Sequence, residues 1–203
     1  MTLITLLTIS AVSLAANGKD KQPEKQFPYF KYSETATEPV IEYNLVHDMI
    51  AEPDPEPLMR IYGNGRVHVH YPAYMKKAGD YELTITKKEL KILIRELANN
   101  GIIDFDRQKV KQHRDNLETE ERNKKQELFY YSDDSHTVIE VRLNEYQKLP
   151  TTAKINNVYK QFSWPNLKQD ARRFPGSQEI TGASNAADRL EELKNSRDLV
   201  KVR

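Results

Sequence analysis

Residues 58–71 read LMRIYGNGRVHVHY, two alternating runs around a Gly-Asn-Gly centre. The alternation marks two strands, each with one apolar and one polar face. Asn64-Gly65 alone would suggest a two-residue turn, but that register mixes apolar and polar residues on both faces. A three-residue loop, Gly63-Asn64-Gly65, places Ile61 opposite Val67 and Met59 opposite Val69. Arg60 then lies across from His68 and Tyr62 across from Arg66. This register keeps one face wholly apolar and requires Gly65 at positive φ, where a Cβ is costly.

On the N-terminal side, Val40–Met49 also alternates. Ile41, Tyr43, Leu45, His47 and Met49 share one face and Glu42, Asn44 and Asp48 the other. The acidic, proline-rich stretch AEPDPEP at 51–57 ends this strand. On the C-terminal side, Tyr81–Ile85 is a further strand leading directly into a helix over 87–100. Thr86 and Glu89 match a capping box, and Ile85 and Leu90 the positions of a hydrophobic staple. Leu90, Leu93, Leu97 and Ala98 form its apolar stripe, and Gly101-Ile102 suits a Schellman stop.

Residues 104–127 carry seven acids and seven bases, so the segment has no preferred partner sign and reads as a solvated helix or loop between strands. A second hairpin follows over 127–145, with Asp133-Asp134 at its turn. Tyr159–Trp164 fits either a strand or a helix by spacing. Trp164 should pack on a short helical turn after Pro165, and a last helix should run from about 185 to 196. Strands joined by tight turns, with no strand–helix–strand alternation, predict an α+β fold. One antiparallel sheet built from hairpins carries the well-capped helix on its apolar face, with short helices at the C-terminus.

The chain has 203 residues, a formal net charge of +1 and no cysteine. That excludes disulfides, thiol nucleophiles and cysteine-ligated metals, and the near-zero charge gives no reason to expect nucleic acid. Leu3–Ala15 is uncharged, too short to span a bilayer, and ends in small residues at Ser13 and Ala15. It reads as a signal peptide over 1–15, followed by a flexible polar leader over 16–38. In that leader Phe27, Tyr29 and Phe30 are available as anchors. One domain over 39–196 and a polar tail over 197–203 complete the organisation, with no transmembrane segment in the mature chain. The expectation is an exported protein, periplasmic or secreted; the absence of any Asn-x-Ser/Thr sequon favours a bacterial envelope.

None of the common catalytic signatures is present. Three functional readings follow. The first is non-catalytic binding of a protein or envelope component through the sheet face, using Arg60, Tyr62, Arg66 and, from the second hairpin, Tyr131. The second is a metal site. His68 and His70 lie two apart on one strand, so both rings share a face and can begin a Zn²⁺ or Cu²⁺ site. Further ligands would come from His136 or the acids at 52–56, while Arg60 opposite His68 speaks against a cation. The third is a hydrolase assembled from His136 with Asp133 and Asp134, residues that a β-turn favours for conformational reasons alone.

Overall fold

In a computed structural model, the chain is described over residues 26–47, 54–125 and 135–202. The strands are β1 (Tyr29–Lys31), β2 (Pro39–His47), β3 (Met59–Tyr62), β4 (Arg66–Tyr71), β5 (Gly79–Thr84), β6 (Ser135–Gln147), β7 (Ile155–Pro165) and β8 (Val200–Lys201). The helices are α1 (Lys87–Asn99), α2 (Arg107–Lys125), α3 (Leu167–Arg173) and α4 (Gln178–Lys194). All strand pairings are antiparallel, in the order β7–β6–β2–β3–β4–β5–β8. β1 pairs with the far end of β6, beyond β2. The expected α+β architecture is the one observed.

The 58–71 hairpin has the three-residue loop. Ile61 pairs with Val67, Arg60 with His68 and Met59 with Val69. The Gly65 N–H donates to Tyr62 O at 2.9 Å, and Gly65 has φ 92°. The pleat then sorts side chains across the whole sheet. Phe162, Ile139, Tyr43, Met59, Val69 and Tyr81 stand in register across β7, β6, β2, β3, β4 and β5, and all but Tyr81 are buried. One residue along, Gln161, Glu140, Glu42, Arg60, His68 and Glu82 form a polar row on the other face.

The apolar face is covered by helices. α1 has both halves of the capping box and buries Leu90, Leu93, Ile94, Leu97 and Ala98. The Ile102 N–H donates to Leu97 O at 3.0 Å, completing the Schellman stop. α4 is longer than the leucine spacing suggests. Its first half packs through Ile180 and through Ala183, Ala186 and Ala187, three small residues that let the helix lie close. The Tyr43 hydroxyl donates to Glu191 Oε1 at 2.7 Å and the Tyr71 hydroxyl to Lys194 O at 2.7 Å, fastening the sheet to α4.

Three parts of the sequence reading need adjustment. Residues 29–31 belong to the sheet rather than to a flexible leader. Tyr29 reaches Glu145 through its hydroxyl, Phe30 packs on the core, and Tyr32 is buried. Residues 155–165 are a strand: Phe162 and Trp164 face the core, and Phe105 meets their rings edge-on at 4.6 and 5.8 Å. Residues 200–201 of the tail form β8 on β5. The charged block contains α2, held to α3 by Arg173 with Glu118 and Glu121. Trp164 packs on the 166–174 segment as expected, its indole N–H donating to Asp170 Oδ2 at 2.9 Å. Among the described residues, no helix is long and apolar enough to cross a membrane.

Candidate functional site

The polar row is densest between β3 and β5. His68 and His70 project from the same face of β4, and the adjacent strand places an acid opposite each: Glu82 across from His68, Asp80 across from His70. The stretch preceding β3 contributes two more. The Glu56 N–H donates to Asp54 Oδ1 at 2.9 Å, a local turn that directs both carboxylates over the strands.

The resulting cluster is tight. His70 Nδ1 is 2.7 Å from Asp80 Oδ1 and 3.7 Å from Glu56 Oε2. Its Nε2 is 3.1 Å from Asp54 Oδ2. His68 Nε2 is 3.6 Å from Asp80 Oδ1 and 3.9 Å from Glu56 Oε1, while its Nδ1 faces Glu82 Oε1 at 3.5 Å. His70, Asp80 and Glu56 thus present three ligand atoms within 4.8 Å of one another. Both imidazoles and Asp80 are about five-sixths shielded from solvent, with side-chain exposures of 17%, 16% and 14%. Burial opposes a charged His70 ring, but its hydrogen bonds to Asp80 and Asp54 outweigh this and raise its pKa above the usual histidine range. The Asp54 carboxyl is held below its usual range by the Glu56 N–H and then by His70.

Arg60, expected to oppose a metal from its place across from His68, is engaged elsewhere. Its Nη1 donates to Glu56 Oε1 at 2.6 Å and its Nε lies 3.6 Å from Glu42. Glu42 is also bound by Arg142, which pairs with Glu140. Arg66 lies over the Tyr62 ring, 4.1 Å from the centroid, and donates to Glu82 at 3.2 Å. On this part of the sheet the described residues set six acids, Asp54, Glu56, Asp80, Glu82, Glu42 and Glu140, against three arginines, Arg60, Arg66 and Arg142. With both rings neutral, the cluster carries an excess of three negative charges.

The structure therefore brings together most of the residues singled out in the sequence. Arg60, Tyr62, Arg66 and His68 line one open recess of about 380 Å³ with Glu56, Asp80 and Glu82. The acids anticipated at 52–56 reach His70. His136 does not join them: it is the second residue of β6, opposite Val46 and Pro165. Tyr131, Asp133 and Asp134 lie outside the described residues. Asp80 and Glu82 escape the sequence reading because residues 72–78, PAYMKKA, carry no hairpin signature. They form two successive turns, Met75 N–H to Pro72 O and Ala78 N–H to Met75 O, and so return β5 to β4. Pairing Asp80–Thr84 back onto Arg66–His70 would have placed an acid across from each histidine.

No protein-family model, curated protein or solved structure matches the chain. The functional reading rests on the geometry of this cluster.

Proposed function

We propose that the protein binds a divalent transition-metal ion, Zn²⁺ or Cu²⁺, on the outer face of its sheet. His70, Asp80 and Glu56 would be the ligands, with His68 as a fourth donor. The carrying observation is the spacing of the donors together with what stands behind the rings. In a tetrahedral zinc site with bonds of about 2.0–2.2 Å, donor atoms lie about 3.3 Å apart. The pairs here are separated by 2.7, 3.6, 3.7 and 3.9 Å. Each ring turns one nitrogen to the shared carboxylates and the other towards a further acid, Asp54 behind His70 and Glu82 behind His68. Carboxylates so placed orient metal-bound imidazoles and raise their basicity. Mixed imidazole and carboxylate donors suit zinc and copper, and the local negative excess favours a dication.

The reading is of a binding protein: the sequence holds no catalytic signature, and export is proposed from the 1–15 segment. The test is thermal unfolding with and without Zn²⁺. Zinc at about a hundredfold excess over Kd should raise the Tm by about 5–10 °C. His70→Ala should abolish the shift and His136→Ala should leave it intact. No shift, or a shift that survives His70→Ala, overturns the reading.

One observation favours a second reading, recognition of a protein or envelope component through the same face. Arg66 Nε is buried without a hydrogen-bond partner, and Arg66 lines the recess together with Arg60 and Tyr62. Under this reading Arg66→Ala and Tyr62→Ala release the protein from envelope fractions while leaving the zinc shift unchanged.

A further inference from the structure

Away from the sheet face, α2, the end of β7 and α3 enclose a cavity of about 270 Å³. Its floor holds Asp170, 2% exposed. Asp170 Oδ2 accepts from the Trp164 indole at 2.9 Å and lies 3.4 Å from Arg114 Nε. Oδ1 is buried and has no hydrogen-bond partner. Leaving a carboxylate oxygen dry and unpaired is unfavourable, so the site lacks a donor that a ligand can bring. The wall is aromatic, from Trp164. The rim is cationic: Lys111 is paired with Asp115 at 2.6 Å, whereas Arg107 makes no ion pair among the described residues. Asn166, beside the cavity, is one of two non-glycine residues at positive φ among the described residues. It is held there by reciprocal bonds with the Ser135 backbone. Such conformations persist where surrounding structure over-determines them, and they cluster at ligand sites.

Three features define the ligand. Arg114 is paired with Asp115, Glu118 and Asp170, and Lys111 with Asp115, so among the described residues Arg107 is the lining cation left for a ligand, which suits a monoanion. The free Oδ1 calls for an O–H or N–H donor on the same molecule. The volume and the indole wall suit a small ring with an apolar face. We infer that this cavity binds a small hydroxylated carboxylate of the sugar-acid class, its carboxylate on Arg107 and a hydroxyl donating to Asp170 Oδ1. This site is separate from the metal cluster, and neither proposal depends on the other.

Trp164 is the only tryptophan in the chain, so its fluorescence reports the site directly. The experiment titrates the full protein with glucuronate, with glucose and with a non-hydroxylated carboxylate such as butyrate. Glucuronate at millimolar concentration should change the emission saturably, and the other two should bind at least about tenfold more weakly. Arg107 is exposed, so Arg107→Gln should fold normally and raise the Kd for glucuronate about tenfold, the loss of one charged contact. Absence of a saturable response overturns the inference. So does equal binding of glucose or butyrate, or an unchanged Kd in Arg107→Gln.

Discussion

Gly65 shows how one residue sets the register of everything around it. Its φ of 92° lies in a region that L side chains avoid, and a Cβ built there would meet Ile85 O at 2.2 Å. A backbone oxygen at that distance cannot be cleared by a rotamer change. Gly65→Ala is predicted to destabilise the fold by about 2 kcal/mol or more, measured by urea unfolding with unchanged m; wild-type stability would remove the argument for this loop. Gly65 was legible in the sequence because only one loop length kept the hairpin faces consistent. Asp80 was not, because its role depends on which strand it pairs with, and residues 72–78 do not announce their turn. Asp170 was not legible either: its burial depends on α2 and β7 closing around it from distant parts of the chain.

At the scale of elements, the best-read piece is α1. Its capping box is read from a few residues of sequence, and the structure shows both of the box's bonds. Thr86→Ala removes a hydroxyl that accepts from the Glu89 N–H at 3.2 Å, and should cost about 1 kcal/mol in equilibrium unfolding. β1 is the contrasting case. Three residues give no periodicity to read, and the strand exists because β6 runs far enough past β2 to accept it. Its attachment is partly electrostatic. Glu145 is bonded by Lys31 and by Lys154, and these hydrogen bonds lower its pKa from 4.5 to about 2. A carboxyl whose folded pKa is depressed stabilises the fold above its unfolded pKa and loses that contribution as pH falls. Wild type and Glu145→Gln should therefore differ in stability at pH 6 and converge between about pH 4.5 and 2. A difference that persists at pH 2 would show that Glu145 acts through something other than its charge.

Across the whole molecule, one pleated sheet separates two environments. Its inner face is an apolar layer under α1 and α4; its outer face is a field of acids, arginines and two imidazoles drawn from β2, β3, β4, β5 and the 54–58 approach. The inner face was legible, because alternation and helical spacing are local patterns. The outer cluster was legible only in part. His68 and His70 and the acids before Leu58 are visible along the chain, but the partner each imidazole meets follows from tertiary pairing. Arg60 is no obstacle to a cation for the same reason, since Glu56 and Glu42 take up its charge. The metal proposal is tested most directly by imidazole ¹H–¹⁵N correlation NMR, in which all five histidines are separate probes. On adding one equivalent of Zn²⁺, the ring nitrogens of His70 and His68 should move while His47, His113 and His136 stay in place. Rings of His68 and His70 that do not respond, or a response centred on the other three, would contradict it.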